Sequence, residues 1–122
     1  MESIPSLLDA KAYQALIQHY ETDLKQTHLR DLLQDAQRNA GLIFKEKDMV
    51  LDLTHSRLTS TTLTLLKELA QELKISEKVE RMFAGEVINE TEARPVLHVA
   101  LRASKEKKLT IKGGENVVPL VH

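Results

Sequence analysis

Between Thr59 and Leu73 an apolar side chain returns every third or fourth position, at Leu63, Leu66, Leu69, Ala70 and Leu73, with lysine and glutamate among the intervening residues. A repeat near 3.6 residues gathers these side chains on one face of a helix. A helix of this length owes most of its stability to covering that face rather than to intrinsic propensity. Thr59 precedes the first turn and supplies a side-chain oxygen for its free N–H groups. The stretch therefore predicts a capped helix that needs a packing partner.

The rest of the chain reads as further one-sided helices interrupted by a short β segment. Asp9 is the expected cap of a first helix, with Tyr13, Leu16, Ile17, Tyr20 and Leu24 on one stripe and its end near residues 21–24. Thr27 is the expected cap of a second, with Leu29, Leu32, Leu33 and Ala36 on one face and Asn39-Ala40-Gly41 as its stop. The period then changes. Leu42-Ile43-Phe44 and Met49-Val50-Leu51-Asp52-Leu53, joined by Lys45-Glu46-Lys47-Asp48, predict a β-hairpin. Ser76 is expected to cap a helix with Val79, Met82 and Phe83 inward, ending at Gly85 where a left-handed residue is wanted. Pro95 extends Arg94 and is expected to open another helix, through Val96, Val99 and Ala100 to Arg102. Residues 104–108 read as a loop, Leu109-Thr110-Ile111-Lys112 as a brief strand, and Gly113-Gly114 as a turn. Asn116 resembles the N-cap of a helix through Val117, Val118, Leu120 and Val121 that the sequence does not finish. The expected fold class is mainly α with a short hairpin, and the unfinished helix marks the chain as a fragment.

Composition narrows the function classes. With 122 residues the chain has the size of one small domain or a piece of one. Seventeen lysines and arginines against 18 aspartates and glutamates leave no basic field to attract nucleic acid. The lack of cysteine rules out disulfides, thiolate metal sites and cysteine nucleophiles, and an intracellular location is the default expectation. The N-terminus has no signal-peptide pattern, and no apolar run approaches the roughly 20 residues of a membrane span. A soluble protein without a membrane partner is expected.

Four groups of residues invite a chemical reading, and each has a simpler one. Thr59-Ser60-Thr61-Thr62 gathers hydroxyls at a helix start, where N–H groups and the dipole favour phosphate, but no glycine-rich loop or nearby lysine completes a cradle. Ordinary N-capping is preferred. His98 interrupts the apolar run from Val96 to Leu101 and has the pKa range of a general acid or base. Without a visible acid partner, a hydrogen-bonded structural histidine held between packed helices is preferred. Glu86, Glu90 and Glu92 cluster around Asn89, as paired carboxylates in enolisation or glycoside chemistry do, yet local capping by Asn89, Thr91 and Glu92 accounts for the spacing. Arg94 beside them is expected to clamp carboxylates or helix-end carbonyls. The five histidines form no His-x-x-x-His pair and no metal-ligand spacing.

Residues 82–102 read Met-Phe-Ala-Gly-Glu-Val-Ile-Asn-Glu-Thr-Glu-Ala-Arg-Pro-Val-Leu-His-Val-Ala-Leu-Arg, and this segment strongly resembles the glucose-6-phosphate isomerase family. There, Met-Phe-x-Gly-Glu-x-Ile-Asn-x-Thr-Glu runs into Arg-Ala-Val-Leu-His-x-Ala-Leu-Arg. His28-Leu29-Arg30-Asp31-Leu32, Leu51-Asp52-Leu53 with Ser56-Arg57-Leu58-Thr59, and Ile111-Lys112-Gly113 with Val117-Val118-Pro119 extend the resemblance over nearly the whole chain. Ala93 stands where the family usually has glycine or asparagine, Pro95 replaces its alanine, Ala103-Ser104-Lys105 replaces Asn-Arg-Ser, and residues 37–44 are shorter than usual.

The resemblance implies a cytoplasmic, cofactor-free aldose-ketose isomerase of glycolysis and gluconeogenesis, working as a homodimer of two α/β sandwich domains on a sugar-phosphate substrate. Glucose 6-phosphate and fructose 6-phosphate would interconvert through an enediol. The family's catalytic and phosphate-holding residues lie beyond position 122, so the resemblance assigns no catalytic, substrate-binding or metal residue here. Residues 1–122 would be a mostly helical N-terminal support layer, truncated before the catalytic core and inactive alone. The alternative is a stand-alone helical binding module derived from that family without catalysis.

Overall fold

The computed structural model describes residues 6–89, 91–111 and 114–122. Two compact units divide the chain, Met1–Leu73 and Lys74–His122.

In the first unit a short 3-10 turn, Leu7–Asp9, leads into α1, Lys11–His19. Asp9 is not the cap. It accepts a hydrogen bond from Ser6 Oγ within that turn, and the N-cap position is Ala10, which has no polar side chain. The missing cap comes from far along the chain: the Glu72 carboxylate accepts from the backbone N–H groups of Lys11 (2.8 Å) and Ala12 (2.9 Å). A negative charge at the positive end of a helix satisfies two otherwise free donors. The inward face of α1 carries Ala12 and His19, while Ile17 and Tyr20 of the expected stripe are exposed at 42% and 46%. Beyond His19 the helix widens into a π turn, Tyr20–Leu24, closed by Lys25 N–H on the Tyr20 carbonyl at 2.8 Å. This extra residue per turn brings Leu24 inward.

The expected second helix is two. Asp35 is extended, ending α2, Leu29–Gln34, while its carboxylate accepts from Arg38 N–H at 2.9 Å to cap α3, Ala36–Gly41. An aspartate that bonds its own nearby backbone competes with helix continuation, so it breaks one helix and starts the next. His28 rather than Thr27 is the cap of α2; the Thr27 hydroxyl donates back to the Asp23 carbonyl instead.

The predicted hairpin forms, with β1, Ile43–Glu46, antiparallel to β2, Met49–Asp52. Its register pairs Ile43 with Asp52, Phe44 with Leu51, Lys45 with Val50 and Glu46 with Met49. The turn is therefore only Lys47-Asp48, and Lys47 takes a positive φ of 50° to match the strand twist. Arg38 then fixes the return to the next helix, donating to the carbonyls of Leu58 (2.7 Å), Ser56 (2.6 Å) and Thr54 (3.1 Å).

The leucine-rich segment is α4, Ser60–Glu72, capped by Thr59 as expected. Thr59 and Thr62 form a reciprocal capping box, each side chain accepting from the other's backbone N–H. Helix α4 packs against α1. Glu72 meets the start of α1 and Thr62 meets its end, so the two run antiparallel. Thr62 is buried and Leu63, Leu69, Ala70 and Leu73 of the expected stripe are half-buried with Leu65 and Glu72, whereas Leu66 is 42% exposed. Polar anchors at both ends, Thr62 and Glu72, help set the rotation of this helix.

The second unit opens with α5, Ile75–Phe83. Its N-cap is Lys74 in the left-handed region, φ 53°, and Ser76 lies within the first turn rather than capping it. Met82 is half-buried, but Val79 and Phe83, expected inward, are exposed. The helix ends as predicted at Gly85, φ 72°, with Gly85 N–H on the Met82 carbonyl and Glu86 N–H on the Arg81 carbonyl. Glycine is needed for space as well, since a Cβ there would lie 2.6 Å from the Thr110 carbonyl oxygen.

The helix expected from Pro95 does not form. Pro95 pairs with Val87, and Arg94 with Asn89, as β4, Arg94–Pro95, turns back on β3, Val87–Asn89. The reversal uses Ala93 at φ 50°. Only a 3-10 turn, Ala100–Arg102, follows. The expected strand through Leu109 reduces to one bridge, Thr110 with Asn116, and Lys112 and Gly113 lie outside the described residues. Asn116 caps no α-helix. Its side-chain oxygen accepts from Leu109 N–H (3.1 Å) and Val118 N–H (3.3 Å), and only the 3-10 turn Val118–Leu120 follows, with Pro119 inside it. These segments bury Ala100, Leu109, Val117 and Val118 as the unit's core. Among the described residues, no helix is long and apolar enough to cross a membrane.

Candidate functional site

A buried polar cluster lies where the end of α1 meets the start of α4. His19 is 7% exposed. Its Nδ1 is 2.7 Å from Asp23 Oδ2, and its Nε2 is 2.9 Å from Thr62 Oγ1 and 3.3 Å from Thr59 Oγ1. The His19 hydrogen bond first, and that of Thr22 second, hold the Asp23 carboxyl below its ordinary range. Carboxylate, imidazole and hydroxyl in this order can activate a nucleophile. Here the hydroxyl cannot meet a substrate: Thr62 is 6% exposed, and its oxygen already accepts from Thr59 N–H at 3.0 Å. The arrangement is a fastener between two helices, satisfying a buried imidazole at both nitrogens.

This settles the Thr59-Ser60-Thr61-Thr62 segment in favour of capping. Thr59 and Thr62 are engaged with each other and with His19, and Thr64 Oγ1 donates to the Ser60 carbonyl. Sequence reasoning singled out the hydroxyls but missed His19 and Asp23. Two signals point to them: the i,i+4 spacing of imidazole and carboxylate, and the apolar stripe Ala12, Ala15, Leu16 on which His19 falls. Beside the fastener, a groove of about 600 Å³ runs between α3 and α4, with Leu32, Leu42 and Leu63 as its apolar lining and Ser60, Thr64 and Lys67 among its polar groups.

In the second unit the Asn89 side chain engages Thr91 and Glu92 as expected, but it organises the reversal between β3 and β4 rather than capping a helix. Its oxygen accepts from Thr91 Oγ1 (2.8 Å) and Glu92 N–H (3.3 Å), and its amide donates to Glu92 Oε2 (3.2 Å). Glu90 lies outside the described residues. Glu86 accepts from Arg81 Nε at 2.8 Å and does not converge with Glu92 on a common site. Two expectations need correction. Arg94 clamps no carboxylate or carbonyl among the described residues, and His98 is exposed rather than held between helices. Both follow from the missing helix at residues 95–102: the strand pairing of Arg94 and Pro95 aims the chain elsewhere, and His98 falls in a turn. His98 lines an open groove of about 550 Å³ with Met82, Phe83, Val99, Arg102 and Lys107. No group of three histidine, cysteine or acidic side chains is placed to hold a metal among the described residues.

A sequence model of the phosphoglucose isomerase family matches residues 52–122, from the end of the hairpin through the second unit. The chain belongs to that family. It is 44% identical over 115 residues to the cytosolic glucose-6-phosphate isomerase of Arabidopsis thaliana, a stretch that is 94% of this chain and 20% of that protein. Against the glucose-6-phosphate isomerase of Gloeobacter violaceus the identity is 44% over 117 residues, 95% of this chain and 21% of the relative. For that of Nitrosospira multiformis it is 42% over 120 residues, 98% and 22%. The chain thus spans about a fifth of the length of the curated relatives it matches.

Proposed function

We propose that the protein is the N-terminal part of a glucose-6-phosphate isomerase, a support layer that interconverts glucose 6-phosphate and fructose 6-phosphate only as part of the complete enzyme. The observation that carries this reading is the combination of near-complete coverage of this chain with coverage of only about a fifth of each relative. The polar clusters agree with it. The His19 imidazole is buried between α1 and α4 and engaged at both nitrogens, which supports a packing role for that cluster. The complete enzyme would act on a sugar phosphate in the cytosol, without a cofactor, as a homodimer.

Enolisation develops charge on oxygen, so it needs a positioned base and a fixed cation together. Exposed, separated Arg94 and His98 do not make that pair. The test is a coupled assay in which fructose 6-phosphate is converted and the glucose 6-phosphate formed is oxidised. The 122-residue chain should show no turnover, and the full-length product should show it. Turnover by the chain that survives repurification would overturn the support-layer reading.

A further inference from the structure

The two faces of the hairpin differ, and the more apolar one is exposed. Phe44, Met49 and Leu51 share that face with Glu46, at 43%, 70% and 55% exposed for the three apolar side chains, while Ile43 and Val50 lie on the other with Lys45 and Asp52. A two-stranded hairpin is marginal in water unless something packs on it.

About four fifths of each relative's length lies outside the stretch this chain matches, so the family supplies ample polypeptide to cover this face. Resting on the reading proposed above, we infer that the Phe44, Met49 and Leu51 face of the hairpin is a docking surface for the remainder of the isomerase polypeptide. Through that face the hairpin ties the N-terminal layer to the enzyme body.

Oxidation of Met49 by dilute hydrogen peroxide, followed by peptide mass spectrometry, reports directly on that face. Met49 should oxidise quickly in the 122-residue chain and about tenfold more slowly in the full-length enzyme, because thioether oxidation requires access. Leu51→Glu should leave the helical signal of the 122-residue chain unchanged, yet restore Met49 oxidation and lower the thermal midpoint in the full-length enzyme. Lys45→Glu, on the other face, serves as the comparison. Equally fast oxidation in an active full-length enzyme would overturn the docking surface while leaving the isomerase reading intact. An inactive full-length product would instead count against the isomerase reading. Protection of Met49 in the 122-residue chain would also overturn the inference: if it grows with concentration and sedimentation shows a dimer, a second copy is the occupant. If it is independent of concentration, the chain's own residues cover the hairpin.

Discussion

His19 joins two helices through three side chains, and although Asp23 is open to water, removing the imidazole leaves the buried Thr62 hydroxyl without it. His19→Ala should cost about 1–3 kcal/mol in urea unfolding, the penalty for orphaned buried polar groups. Thr62→Val removes the hydroxyl but keeps the shape. A double-mutant cycle between the two should give a coupling of roughly 0.5–3 kcal/mol, as for other residues in direct contact. Additive losses would show that the 2.9 Å contact contributes nothing of its own. Gly85 is fixed for a different reason, because its left-handed φ and the nearby Thr110 carbonyl both refuse a Cβ. Gly85→Ala should destabilise by more than about 1 kcal/mol, measured as a lower urea midpoint. An unchanged midpoint would mean that the Thr110 and Ile111 backbone shifts to make room.

At the scale of elements, the ends of helices carry more information than their middles. Thr59→Ala removes one half of the capping box and one hydroxyl beside His19, and should cost about 1 kcal/mol or more. Thr59→Ser should recover most of that loss. Arg38 holds the segment between the hairpin and α4 through three backbone carbonyls that no other side chain satisfies in its place. Lysine keeps the charge but not the planar fork, so Arg38→Lys should still destabilise, by about 1–3 kcal/mol, and raise amide exchange at residues 54–58. Exchange unchanged in that segment would assign its order to the hairpin instead.

For the whole molecule, the long-range carboxylate cap sets a pH dependence. The N–H groups of Ala12 first, and of Lys11 second, hold the Glu72 carboxyl below its ordinary value of 4.5. The folded state therefore binds this proton less readily than the unfolded state. The stabilisation is complete above the ordinary value and is lost as pH falls through the lower folded value. Asp23, held down chiefly by His19, and Asp52, held down chiefly by Thr54, act in the same sense. Urea midpoints measured from neutral to acid pH should fall in that window, and Glu72→Gln should flatten part of the fall. A profile identical to that of the unaltered protein would place the pH dependence elsewhere.

What the sequence determined by itself is what depends on near neighbours in the chain. The hairpin follows from alternation and a charged link, the Thr59 cap from a hydroxyl before a leucine stripe, and the Gly85 stop from the one residue free to turn left-handed. The family segment at residues 82–102 was also legible, because it is a local string. The local bonding of Asn89 with Thr91 and Glu92 was readable for the same reason, though not that it turns a strand pair instead of capping a helix. Tertiary structure decided the rest. Ala10 has no capping side chain, and only folding brings Glu72, 61 positions beyond Lys11, to the free N–H groups of Lys11 and Ala12. Periodicity placed Leu66 and Ile17 inward, but the rotation of α4 and α1 is set in part by Thr62, Glu72 and His19, whose hydrogen bonds favour one angle where apolar contact tolerates several. Pro95 was compatible with a helix start or an edge strand, and the pairing with Val87 chose the strand. Local propensity separates such alternatives by at most about 1 kcal/mol, less than the burial of a single leucine, so contacts made across the fold choose between them.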